Sequence, residues 1–436
     1  MPPGRLTNYT LIGIFISVFI NSIVLTQSPV DFYIGYLVFI VLLPGFILRH
    51  GFPQWTLVFI VLLLSGMFYT LSGDNTADMF FKIFVGLFAS YLFYYYVIVE
   101  ADYQTESLFR YYLKAAWIVS VIGFVQFLSF KIGFLRGYEY GWLLNKWGVV
   151  YGGSFGIRIN SVFGEPTYYG AFMSAPFFIA AYDLISLKPF YFTKIKSVIV
   201  MVVYFLSDSG LGYLGIMFTL ILLFINFGLI RYFIIAIPLG IVLFNFIYEN
   251  SFEFRTRYDS TVDVFTTGHF TVGADHGSTI ILYNNYHIAL ENFKVNPLFG
   301  TGLGSHPIAA EKYSLTKDIV AFGFELNYAD ASSMFNRIMS ETGLFGLILF
   351  FFILFKFYVR RNPDINSNHW LITNSFLVLI LVNLLRQGHY FLNGFPFYVW
   401  MYIYNYYDYQ KVLEAAEESV LTTSPLPETP VQNPKD

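Results

Sequence analysis

Glu249-Asn-Ser-Phe-Glu-Phe-Arg-Thr-Arg257 opens the one long polar interruption in this chain, which closes near Ser340. On both sides the sequence reads as hydrophobic runs joined by short links, so reading this stretch as a loop decides the fold. Into it fall four of the seven histidines (His269, His276, His287 and His306), a cluster of carboxylates, Arg255 and Arg257, and the run Gly300-Thr-Gly-Leu-Gly304. A membrane protein that gathers its polar chemistry in one loop works on one face of the bilayer.

The surrounding composition supports membrane residence. The 436 residues are 56% hydrophobic, 21% aromatic and 12% charged, and that charge share is about half the usual value for a soluble domain. Repeated apolar runs of nearly 20 residues point to an integral membrane protein. The net charge of −3 says little, and no basic patch suggests nucleic acid. With no cysteine, disulfides, thiol catalysis and cysteine-ligated metals are excluded. Arg5 before an apolar run looks like the start of a signal peptide. No small-residue cleavage site follows it, so a retained first helix is expected.

Working outward, the spacing gives about twelve apolar segments. They lie near 9–25, 32–48, 55–71, 80–99, 108–130, 166–187, 194–207, 211–229, 232–248, 344–358, 370–385 and 391–407. The seventh is short, since about 14 residues at ~1.5 Å rise cover roughly 21 Å of a ~30 Å hydrocarbon core. An amphipathic stretch, 131–159, carries Trp142 and Trp147, which suit a membrane interface. The tail 412–436, rich in Glu, Pro and Thr, is expected to be disordered and cytoplasmic. Residues 1–411 then form one transmembrane domain that includes two outward segments, 131–165 and 249–340. No internal repeat is visible, which argues against an inverted-repeat transporter.

Positive residues set the orientation. With the N-terminus cytoplasmic, the inner links hold Arg49, Arg110, Lys188, Lys194, Lys196, Arg231, Lys356, Arg360 and Arg361. The short outer links hold Asp31, Asp74, Asp78 and Asp208, with Arg386 the only cation. The asymmetry follows the positive-inside rule, so both termini are expected in the cytoplasm and both longer segments outside.

Four stretches carry candidate chemistry. In Gly156-Ile-Arg-Ile-Asn-Ser-Val-Phe-Gly-Glu-Pro166, Arg158, Asn160 and Glu165 stand where the chain re-enters lipid, and each needs a partner or water. A snorkelling arginine and a helix-start glutamate would explain them equally well. Ser207-Asp-Ser-Gly-Leu-Gly212 reads as a tight turn before a helix, or as a polar turn lining the same outer cavity. Asn296-Pro-Leu-Phe-Gly-Thr-Gly-Leu-Gly-Ser-His306 has glycines that let N–H groups approach an anion. Without a strand before it and a helix after it, a compact turn is favoured. His306 is either a proton acceptor or a solvated loop histidine. The fourth stretch, Asp330 to Gly346, leads into the tenth span, with Arg337 and Glu341 spaced as a surface pair on one helical face. Arg255 and Arg257 offer forked contacts to phosphate or carboxylate, or to lipid headgroups. No H-E-x-x-H and no outward D-x-D occurs.

In this order the four stretches resemble the membrane polymerase and ligase superfamily of bacterial surface glycans, the O-antigen polymerase (Wzy) and O-antigen ligase relatives. The residues that carry the resemblance are Arg158 to Pro166, Ser207-Asp-Ser-Gly210, Asn296 to Gly304 and Glu341-Thr-Gly-Leu-Phe-Gly346. It implies an all-α polytopic, GT-C-like fold of about twelve spans in the bacterial inner membrane. One large periplasmic loop would lie between spans nine and ten. It implies an undecaprenyl-pyrophosphate-linked glycan as donor and another as acceptor, membrane lipid as surroundings, and a chain-length regulator protein as a further partner. No nucleotide, metal or other cofactor is then required. Arginines would hold the pyrophosphate, so Arg158, Asn160, Arg255, Arg257 and Arg337 are the substrate-binding candidates.

Two departures sharpen the reading. Ligase-type members carry a His-Asn pair some nine residues before the Glu-x-Gly-x-x-Gly motif, and that count lands here on Ser332-Ser333. Polymerase relatives often have an arginine soon after a Gly-Ser in the outer loop, whereas Gly277-Ser278 is followed by Thr279-Ile-Ile-Leu282. The first departure favours a polymerase over a ligase acting on lipid A core or protein. It leaves Glu165, His306 and Asp330 as proton-acceptor candidates, with solvent as the alternative. A lipid-linked glycan flippase or transporter is the competing class, disfavoured because the spans read as free of buried charge.

Overall fold

Helix starts follow local chemistry. Thr7, Thr76, Thr193 and Ser333 each precede a helix, and each side chain accepts a hydrogen bond from the N–H three residues on, satisfying a donor that the helix leaves open. The computed structural model describes residues 6–26, 31–187, 189–229, 252–271, 275, 277–316, 326–365 and 367–423, with isolated positions between 237 and 249.

The chain is mostly helical, with two minimal hairpins. Helices α1 (Asn8–Phe19) and α2 (Gly35–His50) flank the hairpin β1 (Val24–Thr26)–β2 (Phe32–Tyr33). Next come α3 (Leu57–Ser72), α4 (Ala77–Glu100), α5 (Thr105–Lys131) and the single turn α6 (Leu135–Tyr138). After the hairpin β3 (Val150–Tyr151)–β4 (Ile157–Arg158) come α7 (Pro166–Phe172) and α8 (Ser174–Ile185), then α9 (Lys194–Leu206) and α10 (Gly210–Asn226). The long polar segment contains α11 (Phe252–Thr267), α12 (Gly277–Val295) and α13 (His306–Tyr313). The chain closes with α14 (Met334–Lys356), α15 (His369–Arg386) and α16 (Phe395–Thr423).

Among the described residues, five helical stretches are long and apolar enough to cross a membrane: Gln54–Ser72, α4, α5, α14 and α15. Helices α1, α2, α8 and α10 are shorter apolar ones. Helix α15 is central, with 78% of its apolar stretch buried against 11% for Gln54–Ser72. It packs on α8, α10 and α16. On α3, Leu57, Val61, Leu64, Phe68 and Leu71 recur at three- and four-residue spacing and are exposed, which is a lipid-facing stripe. Phe15, Tyr112, Phe376, Phe397 and Tyr398 interlock at ring-centroid distances of 4.9–6.3 Å.

Several expectations change. The tenth span begins at Met334, not near 344, because a helical outer half precedes a kink at Gly343 (φ 62°, ψ −154°). The sixth is divided at Met173 into α7 and α8. The stretch expected to be disordered from Val412 is helical as far as Thr423, since Leu413-Glu-Ala-Ala-Glu-Glu418 is made of strong helix formers. Ten of the seventeen residues of the ninth apolar segment, 232–248, lie outside the described residues. Buried charge is present: Glu100 pairs with Arg49 (2.9 Å) and His50 (2.8 Å), and the Asp183 carboxylate accepts the N–H groups of Phe190, Tyr191 and Phe192.

Links that the charge pattern assigns to one side touch one another. Lys146 reaches Asp31, Ser22 donates to the Val162 carbonyl, Asn75 donates to that of Leu303, and Arg386 to that of Ser278. At the other ends of the helices, Thr105 bonds Asp408 and the Arg361 N–H bonds Asn226.

Candidate functional site

The glycine-rich run is part of a splint. In a continuous α14 the N–H groups of Leu344 and Phe345 would bond the carbonyls of Ser340 and Glu341. The kink at Gly343 frees all four groups, and the run takes each of them. Leu344 and Phe345 donate to the carbonyls of Pro297 and Leu298 (2.8 and 3.0 Å), while Thr301 and Gly302 donate to those of Ser340 and Glu341 (3.3 and 2.8 Å). Gly300 sits at φ +63°, and a Cβ there would lie 2.4 Å from the Glu341 carbonyl carbon. The opposite edge of the run rests on the α3–α4 turn through Asn75 and Leu303. The glycines serve close backbone approach.

This splint holds a buried polar centre. Arg337 Nε donates to Glu341 Oε1 (3.0 Å), Nη1 donates to the Gly388 carbonyl (2.8 Å), and the guanidinium lies 4.3 Å from the Tyr390 ring centre. The expected surface pair is therefore a buried one, and its guanidinium is already engaged. His306 is fully buried; its Nε2 donates to Asn285 Oδ1 (3.0 Å), and Nδ1 has no partner among the described residues. Burial, and then the charge of Arg337, push the His306 pKa down to about 3, so the imidazole is neutral. The same Asn285 donates to Ser332 Oγ (3.1 Å). The buried Tyr390 hydroxyl interacts with the Glu341 carboxylate, and neither it nor Glu341 Oε2 has another hydrogen-bond partner among the described residues. Burial, and next the charge of Glu341, raise the Tyr390 pKa well above the usual phenol value.

Beside this centre, Asp330 Oδ1 accepts the Ser332 N–H (3.0 Å) and Oδ2 lies 3.2 Å from His389 Nε2. The Tyr168 hydroxyl is 3.4 Å from the same nitrogen. Burial lowers the His389 pKa, with Arg337 and Lys146 acting in the same direction and Asp330 and Asp31 against it.

Tyr168 brings in the α7 side. Glu165, the residue before α7, is exposed and its Oε2 accepts from Thr167 Oγ1 (2.9 Å). Asn160 is buried and fully used: Oδ1 accepts from Gln126 Nε2 (3.0 Å), and Nδ2 donates to the Phe163 carbonyl (3.0 Å). Its geometry serves the turn rather than a ligand. Half-buried Arg158 faces Asp208, and its Nε is buried without a partner among the described residues. Although burial works the other way, bonds from the Tyr213 hydroxyl (2.6 Å) and the Ser154 N–H (2.8 Å), with the Arg158 charge, hold the Asp208 carboxyl below the usual carboxylate range. So the first and second motifs pair with each other, as the third and fourth do.

Asp330, Arg337 and His306 thus meet in one centre, with Glu165 beside it and Arg158 in the neighbouring cluster. Arg255 is exposed on α11, where its charge acts on Tyr248. Arg257 lies on the same helix, and its side chain, like residue His276, lies outside the described residues. The contributors missed in the sequence are Tyr168, Asn285 and the link Arg386-Gln-Gly-His-Tyr390. The signal there was Arg386, the single cation in the short outer links. It donates to the Ser278 carbonyl through Nη2 (3.1 Å), and its Nη1 is buried without a partner among the described residues. Among the described residues, no group of three or more His, Asp or Glu side chains is placed to hold a metal ion.

Residues 196–351 match the family model described as O-antigen ligase. No curated protein matches the chain. The chain therefore carries an O-antigen ligase-type domain over that stretch, consistent with the O-antigen polymerase and ligase superfamily.

Proposed function

We propose that this chain is a membrane glycosyltransferase that joins undecaprenyl-pyrophosphate-linked repeat units into a surface polysaccharide at the periplasmic face of the bacterial inner membrane. In this reading the chain has about twelve spans, with 232–248 as the ninth, both termini cytoplasmic, and the linked outer segments facing the periplasm. The observation that carries it is the Tyr168–His389–Asp330 bridge. It ties the end of the 131–165 segment to the start of α14, so that both walls belong to one polar centre.

A pyrophosphate leaving group gains negative charge as the glycosidic bond breaks, and fixed guanidinium donors in a water-poor site stabilise it. Arg158 and Arg386, each with a buried nitrogen that lacks a partner among the described residues, fit that role better than Arg337, whose guanidinium is already bonded. Arg255 remains the candidate from the long segment. Glu165, exposed at the edge of the centre, shapes the acceptor side. A chain-length regulator is the expected protein partner.

Transfer of a finished glycan to lipid A core or protein is the second reading, favoured by the name of the matched ligase family. Against it, Ser332 and Ser333 occupy the place of the ligase histidine pair. Ser332 accepts from Asn285, and Ser333 caps α14 and donates to the Leu384 carbonyl (2.9 Å). A deletion strain separates the readings. Loss of a polymerase leaves surface glycan with a single repeat, and loss of a ligase leaves long chains on the lipid carrier. Repeats trapped facing the cytoplasm would instead reveal a flippase.

A further inference from the structure

Ala331 and Ser332 are consecutive residues at φ +56° and +57°, a region that side-chain-bearing residues seldom adopt and that clusters at functional sites. Several contacts hold the turn there. A Cβ on Gly388 would lie 1.5 Å from the Asp330 carbonyl oxygen, so only glycine admits the approach. Ser333 Oγ donates to the Leu384 carbonyl, and Arg337 Nη1 donates to that of Gly388. The strained turn and the α15–α16 link are therefore fixed against each other, and the contact they fix is Asp330 Oδ2 to His389 Nε2 at 3.2 Å. A bare Nε2 lone pair would be repelled by a carboxylate oxygen at 3.2 Å, so this contact favours the tautomer with the hydrogen on Nε2, where the Tyr168 hydroxyl 3.4 Å away accepts it, and Nδ1 keeps its lone pair. Nδ1 makes no hydrogen bond among the described residues, and the His389 side chain is 32% exposed.

We propose that His389 Nδ1 accepts the proton of the acceptor sugar hydroxyl, with Asp330 as the positioning residue that fixes the tautomer and Tyr168 steadying the ring. This rests on the glycosyl-transfer reading above. As the acceptor oxygen bonds the donor's anomeric carbon, its proton passes to Nδ1. The anomeric carbon–oxygen bond to the pyrophosphate breaks, and its electron pair leaves with undecaprenyl pyrophosphate. The imidazolium then returns its proton to solvent through its exposed edge. The charged and titratable groups facing His389 are Asp330 and Arg337 around the start of α14, Tyr168 on α7, and Lys146 and Asp31 from two links.

The test uses the full purified chain with undecaprenyl-pyrophosphate-linked repeat units, followed across pH. Elongation by the native protein should fall as pH drops through the His389 pKa, which lies below the ordinary histidine value. His389→Gln should lower kcat at least about 100-fold, leave KM nearly unchanged and abolish that acid limb. Asp330→Asn removes a charge that favours imidazolium, so the limb should move to lower pH while kcat falls. If the native protein elongates and His389→Gln keeps its rate or its acid limb, the proton-acceptor role is wrong and the transfer reading stands. If the native protein does not elongate, both fall. Nitrogen-15 NMR of the native protein covers a variant that misfolds: a neutral Nε2–H tautomer near neutral pH is expected, and a protonated Nδ1 overturns the proposal.

Discussion

Glu341→Ala tests the buried centre most directly. The pair Arg337–Glu341 and the pair Arg110–Glu106 share the same i,i+4 geometry at 3.0 and 2.6 Å. Spacing alone would assign them equal weight. Their surroundings differ: side-chain exposure is 3% and 0% in the first pair, 45% and 44% in the second. An exposed helical pair contributes about 0.3–0.5 kcal/mol. Removing one partner of a buried pair strands a desolvated charge and costs about 3–5 kcal/mol. In Glu341→Ala the guanidinium keeps the Gly388 carbonyl and the Tyr390 ring, neither of which carries a formal charge, and the weaker field of Asp330. Denaturant unfolding in mixed micelles should therefore show a loss near the buried figure, with Glu106→Ala as the exposed control. The double variant Arg337→Met/Glu341→Leu should recover most of it, because no charge is then left unpaired. If Glu341→Ala loses no more than Glu106→Ala, the centre is solvated and the reasoning fails.

Other perturbations follow from the same centre. His306 is neutral in the folded protein with a pKa of about 3, whereas the unfolded chain takes up a proton near the usual ~6.5. Its folded value is depressed, so stability is intact above pH ~6.5 and is lost as pH falls from there toward 3. Between pH ~6.5 and ~4.5 the loss should be roughly 2 kcal/mol, and His306→Asn should flatten that part of the curve; parallel curves would contradict burial of the neutral ring. Gly388→Ala would drive a Cβ into the Asp330 carbonyl, so His389 should leave its partner and elongation should fall to background, while wild-type activity would show the link to be loose. Arg158→Lys should insert normally in membranes yet lose most elongation, because lysine cannot make a forked phosphate contact. Retained chain length would remove Arg158 from the site.

The apolar spans were legible because lipid selects for composition and each span is a local pattern. α14 shows where that stops. Its inner half, with exposed Leu344, Phe345, Ile348 and Phe355, has a lipid-facing composition and was found. Its outer half holds Asn336, Arg337, Ser340 and Glu341, all buried, and reads as loop because protein, not lipid, surrounds it. Asp330, Arg337 and His306, singled out by motif, are buried around one centre, but their partners were not visible in the sequence. Asp330 and His389 lie on opposite sides of two helices, and no local pattern announces that a glycine in one link admits the backbone of another. His306 looked solvated because its neighbours in sequence are small and polar, whereas α12 and α14 bury it.

Gly300 and Gly343 form one device from two motifs, and that too can be measured. α14 must pass from a protein-packed half to a lipid-facing half, and a bend there exposes backbone groups that hydrocarbon cannot satisfy. The run from Pro297 to Gly302 supplies a partner for each group the bend releases, which explains why glycines face each other across the junction. A Cβ on Gly343 would lie 2.7 Å from the Gly300 N–H nitrogen, and both residues have positive φ. Either substitution by alanine should destabilise by about 2–4 kcal/mol from left-handed strain and overpacking. Gly13→Ala, with nothing within 4 Å of its Cβ, should instead be neutral or gain about 0.5–1 kcal/mol. Because each single change already opens the splint, the double variant should lose less than the sum, with coupling of about 0.5–3 kcal/mol. Strict additivity would mean that the two glycines act separately, and the splint would then be an accident of packing rather than the reason both motifs contain glycine.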